Sequence, residues 1–148
     1  MMILYQIFFY CKCYLDDFSK QKIIWKIIGN QMAFVIDSKG LIVNNACYIL
    51  TGDSLEYLTI FLNSRIIKWY SFITNMNKTG VGDIQIGAQN VVLLPIPVLD
   101  KIEQQPFIQI LEKILFQKSN SELDEISNKL VNDTYGLSED EISYLNSQ

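Results

Sequence analysis

No histidine occurs anywhere in the 148 residues, and that absence closes off several chemistries. A Ser-His-Asp or Cys-His site has no base here, and no imidazole is present to bind zinc. The three cysteines (Cys11, Cys13 and Cys47) are too few for an all-thiolate zinc site and are not spaced as a disulfide framework. A reduced, cytoplasmic setting is the expectation. Glycine is sparse as well: Gly80, Gly82 and Gly87 match neither the dinucleotide-binding nor the P-loop spacing. No apolar run approaches the ~18 residues that span a bilayer. The opening MMILYQIFFYC has no positive n-region and no small-residue cleavage site, and Gln6 interrupts it, so it reads as a buried strand.

What is present is an apolar fraction of 49%, enough for one domain with a real core. The formal net charge of −4 argues against a protein that simply coats DNA, yet the charge is uneven: +3 over residues 1–80 and −7 over 81–148. Such a split allows a basic working face beside an acidic flank. Hydrophobic patterning predicts strands in MILYQIFFYC, in CYL and in KIIWKII, with DDFSKQ as a turn. MAFVIDSKGLIVNNACYIL predicts a hairpin turning at Asp37-Ser38-Lys39-Gly40, where Gly40 supplies a positive φ. Leu55, Leu58, Leu62, Ile66, Trp69 and Ile73 then recur at helical spacing. A long polar loop follows, holding a short strand near Ile84-Gln85-Ile86, and VVLLPIP predicts a last strand that Pro95 and Pro97 end. Helices are expected over Gln105–Lys118, Ser121–Asp133 and Ser138–Leu145, the last with a Ser138/Glu141 capping box. The sum is an α+β fold: a small mixed sheet with one packed helix, then a helical tail. Residues 1–98 form the working domain and 99–148 an extension packed on it.

Two clusters carry candidate chemistry. Asp37-Ser38-Lys39, with Asp16 or Asp17 upstream, faintly resembles the acidic-x-Lys pattern of metal-dependent nucleases, in which two carboxylates hold Mg²⁺ and a lysine orients water. The same tetrapeptide is also ordinary turn chemistry. The second cluster is cationic: Lys20, Lys22, Lys26, Lys39, Arg65, Lys68 and Lys78, with amides interleaved at Gln21, Asn30, Gln31, Asn75 and Asn77. Lysine neutralises phosphates, and Asn or Gln can bond adenine bidentately in the major groove. A solvated surface rich in Asn and Lys would look the same, and Arg65 and Lys68 would then only snorkel around an apolar helix face.

The order of segments resembles a known family. KIIW (22–25), NNACYIL (44–50), YLTIFLNSRIIKWY (57–70), LLPIP (93–97) followed by QQPFIQILEKIL, and LDEISNKLVNDTYGLSEDEI come in the sequence of the TaqI-like C-terminal specificity domain. That domain is the target-recognition part of type II (type IIG) restriction-modification enzymes that methylate the adenine amino group. The resemblance implies a module that reads double-stranded DNA for a neighbouring methyltransferase or endonuclease domain or subunit, with no membrane partner. The Asn-Pro-Pro-aromatic motif and the glycine-rich S-adenosylmethionine motif of such methyltransferases are both missing. The expectation is therefore a recognition domain without its engine: an excised piece, a truncated gene product or a separate subunit. S-adenosylmethionine and Mg²⁺ would belong to the catalytic parts alone. By loop position and side-chain chemistry, Lys20, Lys22, Lys26 and Lys78 are expected on phosphates. Asn30, Gln31, Asn75, Asn77, Thr79 and Gln85 are expected at bases, and Leu94, Pro95, Ile96 and Pro97 are expected to be structural. Two other readings stay open: a small Mg²⁺-dependent nuclease using Asp37 and Lys39, and a module whose acidic tail and apolar helices dock on a partner protein.

Overall fold

The strand that organises the first half of the chain is KIIWK, whose two β-branched isoleucines and tryptophan suit a strand, and which has a pairing neighbour on each side. A computed structural model describes residues 6–8, 15–74, 84–117 and 121–148. In it the chain divides into two compact units, Met1–Leu55 with Asn75–Leu94, and Glu56–Thr74 with Pro95–Gln148.

In the first unit, β1 (Gln6–Phe8), β5 (Cys47–Thr51), β2 (Lys22–Lys26) and β4 (Phe34–Asp37) lie in that spatial order, each antiparallel to its neighbour. A second small sheet pairs β3 (Ile28–Gly29) with β6 (Ile84–Gln85), also antiparallel. The class is α+β as expected, but every strand pair among the described residues is antiparallel rather than mixed. Residues 34–51 are not a hairpin: β2 sits between β4 and β5 and pairs with both. Two residues of apolar-rich chain, Leu41 and Ile42, are exposed in that connection, which is why its composition mimicked a strand. Gly40 has the expected positive φ of 74°. The turn-like segment is instead a short helix, α1 (Leu15–Ser19), with Asp16 and Asp17 favourably placed at its positive N-terminal end. Residues 9–14, including the CYL start and Cys11 and Cys13, lie outside the described residues. Ile23, Trp25, Phe34, Ile49, Leu50, Met32 and Ile86 form this unit's core.

The expected last strand is not one. Residues Ala88–Val91 form a single helical turn, α4, and Val92, Leu93 and Leu94 continue with local i−3 and i−4 hydrogen bonds. Those bonds satisfy the amides that a strand would have offered to a ladder, and Val92 and Leu93 stay exposed.

The second unit is helical. The long apolar periodicity of 55–73 is two helices, α2 (Leu55–Asn63) and α3 (Arg65–Ile73), broken at Ser64. Ser64 adopts extended backbone, donates its hydroxyl to the Phe61 carbonyl and accepts from the Ile67 amide, so it ends one helix and caps the next. The Arg65 amide, another orphan of that first turn, donates to Asn128 Oδ1 at 2.8 Å. Helices α5 (Gln105–Gln117), α6 (Ser121–Tyr135) and α7 (Glu139–Asn146) complete the unit, and the Ser138/Glu141 capping box opens α7 as expected. Tyr57, Phe61, Phe107 and Tyr135 pack as an aromatic cluster with ring centroids 4.8 to 5.8 Å apart. Two of these tyrosines hold the Pro-Ile-Pro step: Tyr57 donates to the Pro97 carbonyl, and Tyr135 to the Pro95 carbonyl at 3.0 Å. Burial pushes the Tyr135 phenol up to about 12, so it remains a donor at neutral pH. No helix among the described residues is long and apolar enough to cross a membrane.

Candidate nucleic-acid interface

The two ends of β2 meet different fates. At its first residue, Lys22 is completely buried, and its ammonium donates to Asp37 Oδ2 at 2.5 Å and to the Phe18 carbonyl at 2.6 Å. Register makes the pair: Lys22 and Asp37 are direct partners across β2 and β4. Asp37 also accepts from the Lys39 amide at 3.0 Å and the Leu41 amide at 2.9 Å. Burial alone would raise this carboxyl's pKa, but the hydrogen bonds from Lys22 and the two amides, with the nearby ammonium charge, outweigh it and hold the pKa below the usual value.

This geometry corrects one expectation outright. Lys22 has no surface from which to reach a phosphate; it is an internal counter-ion. Asp37 is engaged through both oxygens in closing the turn, and Lys39 contributes its backbone amide to the same turn. Asp17 is occupied by Lys20 at 2.6 Å. Among the described residues no three acidic, cysteine or histidine side chains gather as a metal-ligand set. The Asp37/Lys39 motif thus has a structural account as an Asx-type turn.

At the other end of β2 the expected residues come together. Lys26 closes β2 and is exposed, Asn30 and Gln31 follow β3 and are exposed, and Gln85 on β6 lies directly opposite Ile28 of β3. A buried clamp sets this arrangement. The Trp25 indole donates to the Ile86 carbonyl at 3.1 Å, and the Ile86 amide donates to the Ile27 carbonyl at 2.8 Å. Trp25 is 1% exposed and is wedged between Phe34 and Tyr48, each with ring centroids 5.5 Å away. The chain leaving β6 at Ile86 is therefore tied to β2 of the main sheet. The motif KIIW held the signal for this, since a buried indole nitrogen needs an acceptor, but the sequence alone does not say which.

Lys20 stands apart, beside Lys39 at the opposite end of β2, where Gln21 also donates to the Ser38 hydroxyl at 3.3 Å. At about 3.3 Å of rise per residue, the four steps from Lys22 to Lys26 separate the two ends of β2 by roughly 13 Å. Asn75, Asn77, Lys78 and Thr79 lie outside the described residues, in the segment that leads into β6.

The helical unit carries a separate cleft of about 750 Å³, lined by Arg65, Lys68, Trp69, Phe72, Glu125 and Asn146 among others. Its cations are largely answered: Arg65 pairs with Glu125 and also bonds Asn146 Oδ1 at 2.9 Å. Lys68 is pulled down by burial, an effect that Asp124 partly offsets. The Glu125 and Asp124 carboxylates thus answer the cations of this cleft.

Comparison with known proteins agrees with the sheet and α2–α3. No curated protein matches the chain. The family model for the TaqI-like C-terminal specificity domain matches residues 5–96. The match takes in β1 to β6, the Leu-Asn-Ser break between α2 and α3, and the run up to Ile96; the resemblance drawn for the C-terminal helices lies beyond it. Covering well over half of the 148 residues, it shows that the chain belongs to the TaqI-like C-terminal specificity domain family.

Proposed function

We propose that this chain recognises a specific double-stranded DNA sequence for a type II restriction-modification enzyme, as the specificity domain of an adenine-specific DNA methyltransferase or endonuclease. The family membership over residues 5–96 carries this reading. In it, residues 1–98 are the target-recognition part and 99–148 a helical extension. The chemistry of bond-making resides in the methyltransferase or endonuclease domain or subunit, along with S-adenosylmethionine and Mg²⁺. An enzyme that modifies adenine must take the base out of the stack, and a recognition domain serves it by gripping the flanking duplex and reading base edges.

Lys26 and Lys78 act on phosphates, with Lys20 as a more distant contact. Asn30, Gln31 and Gln85, with Asn75, Asn77 and Thr79, face the groove. The supporting geometry is the exposed group of Lys26, Asn30, Gln31 and Gln85 at one end of the sheet.

Fluorescence anisotropy with mixed-sequence duplex DNA across a salt series tests it. The expected result is binding whose log affinity falls steeply with log salt, and a Lys26→Ala/Lys78→Ala variant whose slope is shallower by about 1.8, at ~0.9 per phosphate contact. Absence of binding to any duplex at low salt overturns the proposal.

A further inference from the structure

Between Lys26 and Asn30 the chain exposes an isoleucine that the phosphate and base contacts above leave unused. We propose that Ile28 is a specificity-determining contact, packing against the 5-methyl group of a thymine in the major groove. This rests on the DNA-recognition reading.

Ile28 is 55% exposed although it is β-branched and sits in a strand. Along residues 26–30 exposure alternates, with Lys26, Ile28 and Asn30 more open than Ile27 and Gly29, so the cation, the aliphatic group and the amide share one outward row. Across the ladder, Ile28 is the direct partner of Gln85, which is also exposed. Directly opposed residues of an antiparallel pair project to the same face, with Cβ atoms about 4.5–5.5 Å apart. An aliphatic side chain therefore stands beside a primary amide on a surface flanked by a lysine.

That pairing matches one edge of one base pair. A Gln or Asn that bonds adenine N6 and N7 lies in the major groove, and the same A·T pair presents the thymine methyl in that groove, beside the adenine edge. An amide next to an aliphatic group reads both halves of that edge. The alternative use of an exposed isoleucine, as a wedge between base steps, is a minor-groove device, where the adenine N6/N7 edge that the amides would read is out of reach. A lone exposed apolar residue is common and by itself means little. Here the meaning comes from its place in the row and from the paired Gln85.

The full chain is used to enrich binding duplexes from a random-sequence library, and each thymine of the enriched duplex is then replaced in turn by uracil, which lacks only the methyl. Wild type is expected to lose about three- to fivefold in affinity at one position, the scale of one methyl withdrawn from a contact. Ile28→Ala, a surface change checked for folding by circular dichroism, is expected to bind the thymine and uracil duplexes alike while keeping the wild-type salt slope. Salt-dependent, sequence-selective binding with no uracil effect at any position overturns the role of Ile28 alone, as does an Ile28→Ala protein that still discriminates. If no duplex is enriched and none binds at low salt, the DNA-recognition reading falls and the inference falls with it.

Discussion

Changing Lys22 to methionine separates a structural lysine from a DNA-binding one. The substitution keeps the length and apolar stem of the side chain but deletes the ammonium. Asp37, 4% exposed, is then left as a buried carboxylate with only the Lys39 and Leu41 amides for partners. Breaking a buried pair from one side costs about 3–5 kcal/mol, because the surviving charge has lost its counter-ion. At roughly 2–4 °C per kcal/mol for a chain of this size, the melting temperature should fall by about 6–20 °C. The double variant Lys22→Met/Asp37→Asn removes both charges yet leaves an amide oxygen for the turn, so it should recover most of the loss.

Acid titration adds a sign that simple loss of packing would not produce. In the wild type the Asp37 pKa is depressed, so its stabilising contribution is present above the unfolded-state value of ~3.9 and is lost as pH falls through the lower folded value. In Lys22→Met burial still raises the pKa while the Lys22 hydrogen bond and charge that lowered it are gone, so the carboxyl's pKa rises relative to wild type. That variant gains relative stability as its carboxyl protonates, so the gap to wild type should narrow below about pH 4. Urea unfolding followed by tryptophan fluorescence, at pH 7 and at pH 3, reads both quantities. A loss under about 1 kcal/mol with a gap unchanged by pH would refute the buried pair. It would also return Lys22 to the surface as a phosphate contact, whose removal would then lower the salt slope by about 0.9.

Trp25→Phe should keep most of the packing against Phe34 and Tyr48 but strand the buried Ile86 carbonyl, at a cost of about 1–3 kcal/mol in urea unfolding. Because this bond positions β6, selectivity between enriched and mixed-sequence duplexes should drop further than binding to mixed sequence does; equal losses on both would argue against a positioning role. Ser138→Ala removes the N-cap of α7 and should cost about 1 kcal/mol, with faster amide exchange confined to the first turn of that helix. Exchange unchanged in Glu141 and Ile142 would show that the cap contributes nothing measurable.

What could be read in advance divides by the range of the interactions involved. The three C-terminal helices and the Ser138 cap are local features, encoded in 3.6-residue periodicity and a four-residue motif, and they lie where the pattern places them. Gly40 at the turn was equally local. The failures were of two kinds, one local and one that needed partners from distant sequence. Apolar 91–94 has the composition of a strand, but its amides find acceptors three and four residues back. The hairpin reading of 34–51 failed because β2, twelve residues upstream of β4, took the position between the two runs. Composition cannot reveal such an insertion. Ser64 was visible as a residue, but a helix pattern with an unbroken apolar face hides the break that its side chain makes. Among the candidate site residues, the exposure of Lys26, Asn30, Gln31 and Gln85 was legible from polarity and loop position. Lys22 was misread for the same reason: a lysine beside other lysines looks exposed until its cross-strand aspartate is known.

β2 brings these observations under one constraint. Side chains alternate faces along a strand, so a slip of one residue moves every side chain to the opposite face. In this strand such a slip would take Lys22 off Asp37 and leave the buried carboxylate without its counter-ion, a large penalty. It would also draw the Trp25 indole away from the Ile86 carbonyl, the bond that ties the end of β6 to β2. The costly internal ion pair at one end of β2 therefore penalises any register except the one that presents Lys26 outward at the other. On this argument a buried charge pair, of doubtful value to stability as such, is tolerated because it specifies the geometry of the proposed reading face some 13 Å away, at ~3.3 Å per residue. The double variant Lys22→Met/Asp37→Asn isolates that effect. It should fold nearly as stably as wild type while binding the enriched duplex with less selectivity, and selectivity equal to wild type would confine the pair to a local role in the turn.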